Sequence, residues 1–295
     1  MGIIDDLRFS FRKGTSLTRL IYTNIAVFIL IVAGSIISFL LNNQELQTKI
    51  VNVLSVPASI PALLKRPWTL ITYMFTHKDI LHILFNLLWL YWFGTIFLEY
   101  LDQKKLVAVY LLGGLSGAIV YILSFNIFPV FESVTGISVA IGASASVMAV
   151  VISIAAYVPD YSVNLFLFGR IKIKYLALGI FVLTSVLDFS VNSGGKLAHM
   201  GGALFGYVYT VSLRQGRDLG KWINRAIDFV VTTFRPKKKM KVSYKKPVND
   251  YEYNKIKAER QDRINIILDK ISKGGYDSLT REEKDFLFRE SQKKN

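Results

Sequence analysis

Six apolar stretches separated by polar loops constrain this chain more than any other feature: residues 20–41, 81–101, 106–127, 143–158, 174–190 and 197–214. A bilayer core about 30 Å thick takes roughly 20 apolar residues as a helix, and helices satisfy their own backbone N–H and C=O groups where no water can. The pattern predicts an all-α, polytopic bundle of six transmembrane helices. Composition agrees, with 52% hydrophobic residues and a mean hydropathy of +0.37, too apolar for an ordinary soluble domain. With no cysteine in the chain, disulfides and thiolate-ligated metals are excluded. The opening MGIIDDLRFSFRKG carries mixed charge and no clear cleavage site follows, so the first stretch is expected to stay as an anchor.

Lysine and arginine set the orientation. Arg8, Arg12, Lys13 and Arg19 precede the first stretch, Lys104 and Lys105 separate the second from the third, and Arg170, Lys172 and Lys174 separate the fourth from the fifth. The positive-inside rule then puts both termini in the cytoplasm, with a bacterial cytoplasmic (inner) membrane as the expected location. The segment 42–80 breaks the pattern with Lys49, Lys65, Arg66 and Lys78, and its amphipathic character suits a segment lying in the outer interface. The expected division is a cytoplasmic N-terminal segment 1–19, a membrane domain 20–214, a basic linker 215–257 and a cytoplasmic helical hairpin 258–295. The linker's RPKKKMKVSYKK run suits anionic cytoplasmic lipids, and no nucleic-acid partner is expected. In the hairpin, Ile264, Ile267, Leu268 and Ile271 make one apolar face, Gly274-Gly275 ends the helix, and Thr280 with Glu283 reads as a capping box. It carries no catalytic constellation, which leaves docking of a cytoplasmic partner or regulation.

Three polar clusters interrupt the apolar stretches. In HKDILHILFN, His82 and Asn86 are four apart and share a helix face, while His77 is rotated away or lies in the preceding loop. In GASAS, Gly142 bares the backbone just before Ser144, at a helix start where amides lack intrahelical partners. Ser146 points about 200° away from Ser144 and is expected to bond a carbonyl or a neighbouring helix. In AHMGGALFG, His199, Gly202 and Gly206 form one stripe that lets another helix come close to the imidazole. Each cluster alone also fits a structural role, as a helix cap or a cross-link between helices. Together, an ionisable residue inside a membrane segment and a serine supply a base and a nucleophile. Asp188 has no register with His199, so the pattern is a dyad, with His82, Asn86 and the amides of Ser144 and Ala143 as donors to an oxyanion.

These residues resemble the rhomboid family of intramembrane serine proteases over roughly residues 60–210. The resemblance rests on RPWTLITYMFTH, on His77 and HILFN, on Gly142-Ala143-Ser144-Ala145 as GxSx, and on Ala198-His199 with Gly202 and Gly206 as AHxxGxxxG. It implies a six-helix bundle, a Ser144 nucleophile, a His199 base, and cleavage of transmembrane or juxtamembrane segments of single-span membrane proteins without metal or cofactor. Glu99 similarly matches a polar anchor of that fold. Three positions depart: Ala145 where glycine is frequent, Met148 where many members carry tyrosine, and Thr69 after Trp68 where some place arginine. An inactive client-binding relative and a transporter are the competing readings. Zinc proteolysis is disfavoured because HKDILH lacks the spacing and glutamate of HExxH.

Overall fold

The computed structural model describes residues 9–11, 13–165, 169–234 and 249–292. The chain divides into two compact units, Met1–Arg235 and Pro236–Asn295. RPKKKMKVSYKK lies outside the described residues, as does most of the expected N-terminal segment's first half.

Helices stand at all six apolar stretches. The first, α1 (Ser16–Leu40), is capped by the Thr15 side chain. After it come α2 (Gln44–Leu54), α3 (Ile60–Lys65) and α4 (Thr69–Thr72), then α5 (Ile80–Tyr100), α6 (Gln103–Ile127), α7 (Ser144–Tyr157), α8 (Ile173–Phe181) and α9 (Ser193–Arg214). A π-helical turn, Val182–Val186, prolongs α8. By length and composition, α1, α5 and α6 are the helices among the described residues long and apolar enough to cross a membrane, and α7 and α8 with its π turn are shorter apolar helices.

Glycines decide how three of these helices pack. A Cβ on Gly113 of α6 would lie 2.1 Å from the Ala149 Cβ of α7, and one on Gly117 would lie 2.5 Å from the Ala145 Cβ. From the other side, a Cβ on Gly202 of α9 would lie 2.1 Å from the Ala145 carbonyl oxygen, and one on Gly206 would lie 2.3 Å from that of Ala149. Helix α7 is therefore gripped between bare stretches of α6, which receive its alanine methyl groups, and of α9, which meet its backbone; α7 is the helix that the His199 stripe admits. Bare contacts of this kind matter in lipid, where apolar side chains gain little by leaving one apolar surface for another. Ala145, one of the family departures, fits because Gly117 leaves room for its methyl group. Polar cross-links add to the contact: Ser116 Oγ donates to the Gly201 carbonyl at 2.9 Å, and Thr210 Oγ1 donates to the Ser153 carbonyl at 2.8 Å.

The segment between α1 and α5 folds as a set of short helices. The last carbonyls of α2 have no partner within the helix. Three side chains of the RPWTLIT run supply donors: Arg66 to Asn52, Trp68 Nε1 to Val53 at 2.9 Å and Thr72 Oγ1 to Leu54 at 2.8 Å. Two-residue strands β1 (Val56–Pro57) and β2 (Val139–Ala140) pair antiparallel, and Ala58 N–H donates to Ser138 at 3.0 Å, joining this region to the chain just before α7. A second antiparallel pair, β3 (Ser162–Leu165) and β4 (Gly169–Lys172), leads into α8.

The expected linker 215–257 needs correction. Its first part holds a helix, α10 (Lys221–Phe234), and the hairpin's first helix, α11, runs Asp250–Gly274, starting before residue 258. Within α10, Trp222, Ile223, Ala226, Ile227 and Phe229 follow a helical apolar spacing among the basic residues. Within the second unit, α11 is followed by α12 (Arg281–Gln292). The Thr280 N–H donates to Glu283 Oε2 at 2.8 Å while the Glu283 N–H donates to Thr280 Oγ1 at 3.3 Å, a reciprocal capping pair.

Two outcomes test these contacts. Gly202→Val drives a side chain into backbone that cannot rotate away, and is expected to lower stability by about 1–3 kcal/mol, read as a lower unfolding midpoint in detergent, whereas Gly179→Ala, with open space around it, leaves the midpoint unchanged or raises it. Lys270, and then the Thr280 amide, hold the Glu283 carboxyl below its ordinary 4.5. Its contribution is present above pH 4.5 and is lost as pH falls through the lower folded value. The Thr280 amide resonance is expected to titrate with a midpoint below 4.5, and Glu283→Gln abolishes that titration.

Candidate active site

The site begins with the short segment before α5. Tyr73 donates its hydroxyl to Gly114 of α6 at 2.5 Å, and its carbonyl accepts the Gly142 N–H at 2.9 Å. Tyr110 Oη donates to the Met74 carbonyl at 3.1 Å and accepts from Asn24 at 3.1 Å. The chain entering α5 and the chain entering α7 are thus fixed to each other and to α6.

Gly142 is where the second of these turns toward the helix. Its φ of +113° is one that L side chains rarely adopt, and an added Cβ would lie 2.7 Å from His82 Cε1 and 2.9 Å from His82 Nε2. Glycine there permits both the turn and the approach of the imidazole. Two residues on, Ser144 is the first residue of α7; Ala143 holds the cap position and makes no side-chain capping bond. The serine is therefore not the helix cap. Among the described residues no acceptor takes its N–H. Ser146 faces away, its Oγ 2.4 Å from where a Gly114 Cβ would stand, and it is buried without the hydrogen bond expected of it.

His77 lies in the loop before α5 and is fully buried. Its Nε2 accepts the Ala143 N–H at 3.2 Å and faces Asn86 Nδ2 at 3.4 Å, so its proton sits on Nδ1, toward the Phe75 carbonyl at 3.4 Å. The His77 and His82 rings meet edge to face with centroids 5.1 Å apart. Asn86 also donates to the His82 carbonyl at 2.8 Å. This geometry corrects the expected donor set: the Ala143 N–H is spent on His77 and does not face an oxyanion. The direction of a backbone N–H follows from φ, ψ and its partner, neither of which the residue type reveals.

His199 stands on α9 with its Nδ1 3.2 Å from the Thr184 carbonyl. A carbonyl can only accept, so Nδ1 carries the proton and, in the neutral ring, Nε2 is left to accept one. Thr184 lies in the π turn near the end of α8, where the last carbonyls have no helical partner. Sequence reasoning missed this contact, because a backbone acceptor has no residue signature. Asp188 makes its side-chain bond with Ser190 at 2.8 Å instead.

One cavity of about 770 Å³ gathers these groups. Ser144, His199, His82 and Asn86 line it together with Met148 and Tyr121. The Tyr121 hydroxyl is buried without a protein partner. Among the described residues no hydrogen bond joins Ser144 to His199; what brings them together is the shared cavity. Gly142, Gly202 and Gly206 lie outside the lining: Gly142 admits the His82 ring, and Gly202 and Gly206 admit the α7 backbone.

The Rhomboid domain family matches residues 64–216, just over half of the chain, and a family of unknown function, DUF6576, matches residues 249–293. RHOMBOID-like protein 12, mitochondrial, of Arabidopsis thaliana is 29% identical over 161 residues, covering 50% of this chain and 47% of that protein. Presenilin-associated rhomboid-like protein A, mitochondrial, of Danio rerio is 28% identical over 159 residues, with 51% and 39% covered. Presenilin-associated rhomboid-like protein, mitochondrial, of Rattus norvegicus is 29% identical over 163 residues, with 51% and 38% covered. The matched stretch spans less than half of each relative's length.

His77→Ala leaves the buried Ala143 N–H without an acceptor, and is expected to cost about 1–3 kcal/mol from that group alone. The unfolding midpoint in detergent reads the loss; an unaltered midpoint would show that the bond to Ala143 contributes nothing.

Proposed function

We propose an intramembrane serine endopeptidase, starting from a plain premise: the chain belongs to the rhomboid family. The observation that carries the reading is the His199 imidazole, held by the Thr184 carbonyl through Nδ1, with Nε2 free, in the cavity that Ser144 also lines. In this reading the six helices at the apolar stretches all cross the bilayer, both termini face the cytoplasm, and the second unit is a cytoplasmic hairpin. The mitochondrial names belong to the relatives and lend no support to a bacterial inner membrane, so the location is read as an integral membrane and no more finely.

Ser144 Oγ attacks the scissile carbonyl carbon as its proton passes to His199 Nε2. The carbonyl oxygen becomes an oxyanion facing the unpartnered Ser144 N–H, with His82 and Asn86 beside it. Asn86 meets it by exchanging its longer bond, the 3.4 Å one to His77. Collapse breaks the C–N bond, and His199 gives its proton to the leaving amine. Water then attacks the acyl-enzyme with His199 again taking the proton, releasing the acid and restoring Ser144. The substrate is a transmembrane or juxtamembrane segment of a single-span membrane protein. It must unwind locally, since helical carbonyls are shielded, which favours small or helix-breaking residues near the scissile bond. No cofactor takes part in this scheme.

The missing hydrogen bond between Ser144 and His199 favours a second reading, a client-binding protein without cleavage, although catalytic hydrogen bonds often tighten only on substrate. Reconstitution in proteoliposomes with a labelled single-span substrate decides between the two. The parent is expected to release product, and Ser144→Ala and His199→Ala each lower the rate by about 10³-fold or more. Cleavage that survives both substitutions removes the dyad, and a parent that binds the substrate uncut establishes the second reading.

A further inference from the structure

The turn between α5 and α6 is two residues long, Leu101 and Asp102, and joins two helices that are long and apolar enough to cross a membrane; with both spanning, it lies at one face of the bilayer. Beside it runs α10. Asp102, Gln103, Lys104 and Lys105 from the turn and the start of α6, Asp218 from the loop after α9, and Lys221, Asn224, Arg225 and Asp228 of α10 line a second cavity of about 550 Å³.

The charges in this cleft are unevenly paired. Lys104 Nζ lies 2.7 Å from Asp228 Oδ2, and Lys105 pairs with Asp102. Asp218 Oδ1 accepts the Tyr209 hydroxyl at 3.1 Å and the Gly220 N–H at 2.8 Å. Every carboxylate in the cleft thus has a donor. Lys221 and Arg225, one helical turn apart, make no ion pair among the described residues. Two cations without counter-charge, with the Asn224 amide between them in sequence, suit a single anion.

The setting selects the anion. On the same helix Trp222 is 58% exposed and Phe229 is 72% exposed, seven residues apart and so on one side of α10. A helix with aromatic residues exposed beside basic ones, at the end of two spans, has the character of one that lies in the plane of the membrane surface. A diffusible phosphate would leave those aromatic rings in water; a phosphate carried on a lipid brings acyl chains to them. We propose that the cleft between the α5–α6 turn and α10 binds the headgroup of an anionic phospholipid, with Lys221 and Arg225 on its phosphate and Trp222 and Phe229 at the level of the upper acyl chains. The site stands apart from the catalytic cavity and does not rest on the peptidase reading.

Full-length protein is purified from mixed micelles holding equal amounts of phosphatidylglycerol and phosphatidylcholine, and the retained lipid is quantified by mass spectrometry. The parent is expected to enrich phosphatidylglycerol. Lys221→Gln and Arg225→Gln each weaken that preference, and the double variant weakens it by on the order of tenfold. A charge-matched control in the second unit, Lys255→Gln with Lys257→Gln, keeps the preference of the parent. Equal retention by the parent and the double variant, or an equal loss in the control, overturns the site in favour of diffuse attraction. An excess of inorganic phosphate is expected to leave the retained lipid in place; full displacement assigns the cleft to free phosphate and overturns the lipid. Because both substituted side chains are exposed, Arg225→Lys serves as the conservative variant, and it is expected to keep most of the preference.

Discussion

The closeness of α7 to its neighbours underlies everything else in the membrane unit. In water, burial of apolar surface would draw helices together; in lipid that drive is nearly absent, and contact has to come from shape. The glycines of α6 and α9 provide it, those of α9 by letting backbone meet the α7 backbone and those of α6 by admitting the Ala145 and Ala149 methyl groups. The same approach brings the start of α7, with Ser144, beside the α9 turn that bears His199. Helix packing and the candidate site are therefore one arrangement, and glycines outside the cavity fix where the hydroxyl stands.

A second level of order comes from backbone groups left over at helix ends. The α2 carbonyls are closed by Arg66, Trp68 and Thr72, the Ala143 amide by His77, and the Thr184 carbonyl by His199. Each leftover group costs free energy if buried unpaired, so each selects a side chain able to pair with it. Of the side chains so selected, His199 lines the cavity, and the others fix the chain around it. The imidazoles divide accordingly: His77 holds backbone in place, His82 forms part of the wall, and His199 keeps a nitrogen open.

Much of this was legible in the sequence because membrane segments are chemically monotonous. Against a field of Leu, Ile and Val, the residues Ser144, His199, His82 and Asn86 stand out, and their spacing gave their faces. The six helices followed from apolar length. What escaped was set by backbone geometry or by short range: Ala143 was assigned an amide direction that only its partner determines, Thr184 acts through an atom common to every residue, and α2, α3 and α10 are too short or too charged to rise above their loops. The expected linker hid α10 because its lysines and arginines outweighed the apolar residues between them.

The tie between His199 and Thr184 has a particular genetic character. Where a carboxylate side chain aims an imidazole, a single codon change can delete the acceptor. Here the acceptor belongs to the main chain of a π turn, so replacing the threonine side chain leaves the carbonyl where it is. Scanning the segment with alanine would leave the carbonyl that holds the imidazole untouched. Insertions, deletions and prolines, which reset the helical register, are the changes to which that contact is exposed.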